Sequence, residues 1–290
     1  MINLSPKQQE TTGRVAGYIG LAILVLIIGI PMFWMLSSSL KTYREVYTFP
    51  PQWIPSNPRW SNYKDAWDAA PFGRFYLNTV IITVCGTGLQ LFNGILCAYA
   101  LAFLKFPFKS GFMVLILAAL MIPGEVTILP NYLFMGNTVR DWFGLSDNWV
   151  NTYQGIILPG AATAFGTFLM RQGFKGLPRE VLEAAKLDGA GHLRTMWDIV
   201  LPMARPMVVT FAVISVVNKW NDYLWPLIIT NTDQMRPLTV GLTFLFDNEG
   251  NNQWGIIMAG TAFVIVPLIV VFLFAQRFII EGLTAGATKG

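Results

Sequence analysis

Residues 177–189 have the sequence Leu177-Pro178-Arg179-Glu180-Val181-Leu182-Glu183-Ala184-Ala185-Lys186-Leu187-Asp188-Gly189. A proline at the first helical position and a glycine just past the end are the expected boundaries of a helix of about three turns. A second short helix is predicted from His192 to Val200, stopped by Leu201-Pro202. Both helices are too polar to enter a bilayer, so residues 172–205 are predicted to form a rigid knob outside the membrane.

Side chains of the first predicted helix also indicate how it packs. Val181, Leu182, Ala185 and Leu187 are predicted to make a short apolar face. Ala184 and Ala185 keep one side of the helix thin enough for another protein to come close.

Long apolar stretches flank this knob on both sides. Of the 290 residues, 54% are hydrophobic and 12% are charged, and the mean hydropathy is +0.50. The charged fraction is about half of that in soluble domains, which excludes a single water-soluble globule. Stretches long enough to cross roughly 30 Å of hydrocarbon lie at about 16–36, 76–104, 110–133, 152–171, 206–228 and 255–277. The predicted fold is an all-α membrane protein with six transmembrane helices.

The distribution of Lys and Arg predicts the orientation of these helices. The short loops on the side of the N-terminus carry most of the basic residues, which favours a cytoplasmic location for both termini. The net charge of +4 is scattered over short loops, so it does not indicate a nucleic-acid partner. The knob then lies in the cytoplasm, and the Pro- and Trp-rich segment 41–75 is predicted to form a compact external cap.

Residues that catalysis or metal binding would need are scarce. The sequence has one histidine, His192, which excludes a metal cluster or a histidine-dependent triad built within this chain. Cys85 and Cys97 would be about 18 Å apart along a helix, too far for a disulfide. No GxxxxGK[ST] loop is present to hold nucleotide phosphates. The chain is therefore predicted not to be an enzyme, and any ATP hydrolysis belongs to another chain.

The cytoplasmic knob resembles the EAA loop of ABC importer permeases. Glu183-Ala184-Ala185, three residues, Gly189, nine residues and then Ile199-Val200-Leu201-Pro202 match the signature EAA-x3-G-x9-I-x-L-P. An amphipathic helix that rests on the membrane surface is the alternative interpretation of this segment.

Further stretches resemble carbohydrate-type permeases related to the maltose permease. They are the tail Gly282–Gly290 and the segment Trp220–Leu227. Stretches that resemble permeases for glycerol-3-phosphate and glycerophosphodiesters are 121–127, 166–172, 216–226 and 248–255, although neutral-sugar permeases share parts of them. The first 70 residues match only in general layout.

The resemblance implies a type I ABC importer fold with an N-terminal helix and external loop at 1–75 and a permease core at 76–290. The residues that it assigns to ATPase coupling are Glu183, Ala184, Ala185, Gly189, Ile199, Leu201 and Pro202. It also implies that the tail reaches the ATPase through Gly282, Thr284, Gly286 and Lys289. Glu183 is the charge expected to pair with a basic residue of the ATPase.

The resemblance also implies partners and a location. The partners are a second permease subunit, two ATPase subunits and an extracytoplasmic solute-binding protein, all at the cytoplasmic membrane of a prokaryote. No cofactor is expected in this chain, because ATP and Mg²⁺ would bind to the ATPase. The implied function is ATP-driven import of glycerol-3-phosphate or glycerophosphodiesters, such as glycerophosphocholine, by alternating access; import of neutral di- or oligosaccharides is the alternative.

Ionisable residues within the predicted spans are candidates for the translocation path or gate. Charges at that depth are costly and usually face a cavity or a partner. The candidates are the ionisable residues Glu125, Lys219 and Asp222, together with the neighbouring polar residue Asn221. If the helices are straight, a rise of about 1.5 Å per residue places the three ionisable groups at one level, about 20–24 Å from the inner ends of their helices. We expect Lys219 to pair with Glu125 or Asp222 near the outer gate, either permanently or until an anionic phosphate replaces the carboxylate.

If only the ionisable residues are considered, two other classes of membrane protein are compatible with the sequence. In a secondary transporter, Glu125 and Asp222 would relay protons, but this leaves the EAA loop without a role and the chain shows no internal repeat. An intramembrane aspartyl enzyme would need two carboxyls that share one site.

Overall fold

The computed structural model describes residues 6–144, 147–247 and 252–284, and side chains within residues 13–277 of these ranges. This part of the chain is helical and contains no β-strand. In chain order, its α-helices are α1 (Pro6–Ser38), α2 (Tyr43–Val46), α3 (Ser61–Asp68), α4 (Phe72–Phe103), α5 (Lys109–Leu120), α6 (Ile128–Leu133), α7 (Val139–Phe143), α8 (Tyr153–Ile157), α9 (Ala164–Lys175), α10 (Arg179–Leu187), α11 (His192–Arg194), α12 (Leu201–Met203), α13 (Arg205–Trp220), α14 (Leu224–Ile229), α15 (Leu238–Gly241) and α16 (Trp254–Thr284).

Three uninterrupted helices are long and apolar enough to cross a membrane. They are Gly13–Ser38 within α1, Phe72–Phe103 and Trp254–Arg277 within α16, and they agree with the first, second and sixth predicted spans. Two bent pairs pass the same test when each pair is taken as one span, which gives up to five spans in the described residues. The predicted count of six is therefore not confirmed.

The third, fourth and fifth predicted spans are broken. The third bends by 98° between Leu120 and Gly124. The fourth is divided into α8, a 3₁₀ turn at Leu158–Gly160 and α9, and the fifth is divided between α13 and α14. Proline accompanies each break, because it lacks an amide hydrogen and its ring clashes with the preceding turn. The prolines are Pro123, Pro159 and Pro226.

The described chain divides into two compact units, Met1–Ala70 with Phe244–Phe263 and Pro71–Thr243 with Val264–Gly290. In the first unit, the segment after α1 folds back on the end of that helix. The Lys41 ammonium lies 3.8 Å from the centroid of a Trp34 ring and donates a hydrogen bond to the Gln52 carbonyl oxygen. Asn62 Nδ2 donates to the carbonyl oxygens of Ser39, at 2.8 Å, and Lys41, at 2.9 Å. Part of the predicted cap is thus compact.

The core of the second unit joins α4, α9 and α13. Its buried side chains are Ile95, Ala98, Tyr99, Met170, Phe174, Met196, Val200, Ala204 and Phe211. Glycine permits the close approach of α9 to α13, since a Cβ added at Gly166 would lie 2.2 Å from Phe211 Cζ. Gly166 is accordingly buried.

Candidate functional site

Helix α10 carries the EAA triplet with two of its three residues outward. Ala185 is 4% exposed, and Leu182 packs against the core of the second unit. Glu183 and Ala184 are exposed. The exposed side of the helix therefore carries a carboxylate and a methyl group. The buried side packs against the core of the second unit.

The predicted apolar face of α10 is wrong for two residues, since Val181 is 36% exposed and Leu187 is almost fully exposed. Leu187 is 90% exposed and lies away from Leu182 and Ala185. Five residues turn an α-helix by about 140° beyond a full circle, so positions 182 and 187 point in different directions. Leu187 is available to a partner.

Gly189 closes α10 with a left-handed residue. Its φ is +72°, the Ala190 N–H donates to the Ala185 carbonyl at 2.9 Å, and the Gly189 N–H donates to the Lys186 carbonyl at 3.1 Å. This pair of bonds is the Schellman motif, which satisfies the last carbonyls of a helix and turns the chain sharply. Gly189 thus follows the end of α10, as the sequence predicted.

Replacing Gly189 with valine is expected to loosen this exit, because a β-branched residue at positive φ is strained by about 1–2 kcal/mol. Gly191 has φ −69° and ψ 165°, with nothing within 4 Å of an added Cβ, so Gly191→Val is a matched control. Hydrogen–deuterium exchange of residues 179–203 should rise for the first variant and stay unchanged for the control. Equal exchange in both variants would show that the turn does not need glycine.

The second helix of the knob extends further than predicted. It runs from α11 through a π-helical segment, Thr195–Val200, into α12, and so passes Leu201-Pro202 instead of stopping there. Pro202 lies directly after the π-helical segment, as the second residue of α12. Met196 and Val200 are 1% and 0% exposed and belong to the core, and Leu201 packs against it.

The knob exposes apolar side chains that the sequence analysis did not assign to coupling. Besides Leu187, the most exposed of them are Leu193, 69% exposed, and Trp197, 53% exposed. Their spacing of four residues gives the sequence signal, since such residues share one face of a helix. The knob is therefore anchored by its buried residues and presents Glu183, Ala184 and these three side chains outward.

A cavity of about 480 Å³ lies behind the knob. Tyr99, Leu182, Lys186 and His192 are among its lining residues. The Tyr99 hydroxyl and His192 Nδ1 are 3.4 Å apart, which links the knob to α4.

The predicted tail contact is only partly within the described residues. Gly282 and Thr284 lie in the last turns of α16. Gly286 and Lys289 lie outside the described residues. A role of the tail at the ATPase stays a prediction.

The structure places the ionisable residues differently from the straight-helix count. Glu125 is exposed in a 3₁₀ turn, Gly124–Thr127, beside the 98° bend, where a constant rise per residue does not apply. Lys219 packs against Gly86, near the middle of α4 rather than at its end. In the described residues no salt bridge within 4.0 Å joins Lys219 to Glu125 or Asp222, so the expected ion pair is not formed. Asn221 ends α13 and is exposed, and its Nδ2 donates to the Val217 carbonyl at 2.9 Å.

Comparison with known proteins identifies the class to which this fold and knob belong. Residues 90–284 match the family described as binding-protein-dependent transport system inner membrane component. The chain belongs to this family: it is a multi-pass permease component of an ABC importer, and not an enzyme. This membership overturns both the secondary-transporter and the intramembrane-enzyme interpretations.

Relatives within the family are named for two kinds of solute. The sn-glycerol-3-phosphate transport system permease protein UgpE of Yersinia pestis is 35% identical over 273 residues, which cover 92% of this chain and 94% of the relative. The UgpE protein of Agrobacterium fabrum is 31% identical over 284 residues, covering 95% and 98%. The arabinooligosaccharides transport system permease protein AraQ of Halalkalibacterium halodurans is 34% identical over 223 residues, covering 77% and 76%.

Solved structures share the fold. A chain of a bacterial ABC transporter involved in the import of the acidic polysaccharide alginate superposes with a TM-score of 0.79 at 22% identity, covering 96% of this chain and 100% of that one. A chain of a bacterial alginate ABC transporter in complex with an alginate pentasaccharide-bound periplasmic protein gives a TM-score of 0.67 at 14% identity, covering 93% and 95%.

Proposed function

We propose that this chain is one of two permease subunits of an ATP-driven importer for glycerol-3-phosphate. The observation that carries the proposal is the knob, whose EAA residues Glu183 and Ala184 are exposed while its apolar residues are built into the core of α4, α9 and α13. Two cytoplasmic ATPase subunits and an extracytoplasmic binding protein complete the assembly, and both termini of the chain lie in the cytoplasm.

In this proposal, the knob transmits force and performs no chemistry. Closure of the ATPase dimer on ATP moves the exposed face of α10. Because Met196 and Val200 are almost completely buried, the knob cannot move without displacing the helices packed against it. The displacement opens the path to the outside, and release of the nucleotide reverses it. ATP and Mg²⁺ stay on the ATPase.

Glycerol-3-phosphate is the solute that the relatives support. The UgpE proteins of Yersinia pestis and Agrobacterium fabrum align with 92% and 95% of the chain at 35% and 31% identity. Glycerophosphodiesters carry the same glycerol phosphate group, and we include them in the proposed solute class.

Uptake by the reconstituted complex tests the proposed solute. Proteoliposomes containing both permeases, the ATPase and ATP, with binding protein added outside, should accumulate radiolabelled glycerol-3-phosphate. Unlabelled glycerophosphocholine should compete, and neutral oligosaccharides should not. Accumulation that persists without ATP, or that only neutral oligosaccharides inhibit, would contradict the proposal.

Neutral oligosaccharides are the second candidate solute class. The AraQ relative is 34% identical over about three quarters of the chain, a degree of identity similar to that of UgpE. Under this alternative the same uptake assay would show accumulation of an arabino-oligosaccharide and no uptake of the phosphorylated compound.

A further inference from the structure

The break in the fourth predicted span is held by side chains of α4. Gln90 Nε2 donates to the Gly160 carbonyl oxygen at 2.7 Å, and Asn93 Nδ2 donates to the Ala161 carbonyl oxygen at 3.1 Å. Within a membrane, non-helical backbone is tolerated where it is buried in protein or lines a cavity. Broken helices of this kind mark solute sites in transporters, where they place polar backbone groups at membrane depth.

The Lys219 side chain crosses this break. Its Cδ and Cε lie 3.4 Å from the position of a Cβ added at Gly86, and its Nζ lies 2.3 Å from that of a Cβ added at Gly160. The ammonium therefore occupies the space that any side chain at Gly160 would fill. Gly86 is near the middle of α4, so the charge lies far from both ends of that helix, and the Lys219 side chain is partly buried.

The Lys219 ammonium carries three N–H donors. In the described part of the chain it makes no hydrogen bond and no ion pair, although Asp222 is close enough to interact with it electrostatically at longer range. A cation at membrane depth is costly unless a counter-charge meets it. An anion that binds there would supply that counter-charge.

Neighbouring polar groups make the surroundings of Lys219 a built polar site. Ser215, one turn before Lys219 on α13, donates to Gln90 Oε1 and lies 3.2 Å from Thr87 Oγ1. The Thr83 hydroxyl, one turn earlier on α4, is buried without a hydrogen-bond partner among the described residues. Gln90 is thus fixed between Ser215 and Gly160, and the Lys219 ammonium is left for a ligand.

We propose that Lys219 and the break at Gly160 form an anion subsite that contacts the phosphate of the solute during translocation. The inference rests on the proposed function and adds the residue that recognises the charged part of the substrate. Gln90 is a positioning residue that fixes the Gly160 carbonyl oxygen through its hydrogen bond. A permanent structural ion pair would need a carboxylate within 4.0 Å, and none is present among the described residues.

Three variants of the complete reconstituted complex test the subsite. Lys219→Met should lower uptake of glycerol-3-phosphate about 30-fold, the effect of losing one close charge contact, with basal ATP hydrolysis unchanged. Lys219→Arg should retain part of the uptake because it keeps the charge. Lys105→Met removes an exposed lysine after α4 and should leave uptake at the wild-type rate.

Chemical rescue separates a charge contact from a packing role and does not depend on how well Lys219→Met folds. Lys219→Cys is made in a Cys85→Ser, Cys97→Ser background, because both native thiols are exposed. Its thiolate attacks 2-aminoethyl methanethiosulfonate, forms a disulfide with the aminoethylthio group and releases methanesulfinate. This modification should restore uptake, while the neutral 2-hydroxyethyl reagent should not. Equal effects of both reagents would overturn the inference.

The same assay distinguishes the two proposals. If the wild type imports glycerol-3-phosphate and Lys219→Met imports it equally well, the subsite is wrong and the proposed function stands. If the wild-type complex does not import glycerol-3-phosphate, the proposed function fails and the subsite fails with it.

Discussion

Replacing Gly166 with leucine is expected to remove the protein from the assembled membrane complex. A Cβ at this position would lie 2.2 Å from Phe211 Cζ and 2.5 Å from Phe211 Cε2. The Phe211 ring is 2% exposed and rigid, so α9 and α13 would have to separate. Overpacking of a core costs about 1–3 kcal/mol for a few added methylene groups, and leucine adds a whole branched side chain. The amount of permease that copurifies with its partners should fall at least about tenfold.

Controls for this prediction come from the same fold. Gly88→Leu places the same side chain on α4, where nothing lies within 4 Å of an added Cβ, and should assemble normally. Gly94→Ala should be milder than Gly166→Ala, because its neighbour is the flexible end of Met170. Adding Phe211→Ala to Gly166→Leu should recover part of the assembly. Wild-type assembly of Gly166→Leu alone would show that α9 and α13 do not pack as described.

Reversing the charge of Glu183 is expected to abolish coupled transport while leaving the permease assembled in the membrane. Glu183 is exposed, and in the described chain its carboxylate makes no salt bridge. If it pairs with a basic residue of the ATPase, as proposed, losing a buried interfacial charge pair costs about 2–5 kcal/mol. Glu183→Lys should therefore weaken ATPase docking at least about 30-fold, and uptake should fall with it.

A graded series of variants tests this assignment. Glu183→Gln should give an intermediate loss, since it removes the charge without reversing it. Asp188→Lys reverses an exposed charge about 140° away around α10 and should retain uptake. Reversing the matching basic residue of the ATPase should rescue Glu183→Lys. Full uptake by Glu183→Lys would exclude this carboxylate from the coupling interface.

The sequence predicted the parts of the fold that depend on local pattern. The three uninterrupted spans follow from long apolar stretches, and the Schellman turn at Gly189 follows from a glycine just past a short helix. The permease family followed from the spacing of residues 183–202, which does not depend on tertiary contacts.

The parts that the sequence did not predict depend on contacts between distant segments. Pro159 marks an interruption, but only the hydrogen bond from Gln90 to Gly160 shows how a broken helix is accommodated. That Lys219 forms no ion pair in the described residues could not be inferred by counting residues, because the 98° bend displaces Glu125 from the position that a straight helix would give it. Leu187 was placed on the wrong face because four apolar residues within one short helix need not share a side.

ATP hydrolysis by the reconstituted complex is the most direct test of the central claim that this permease couples a solute-loaded binding protein to an ATPase. The account predicts that hydrolysis rises severalfold when binding protein carrying glycerol-3-phosphate is added, and that Glu183→Lys removes this rise. A rate that is the same with and without the loaded binding protein would contradict the account.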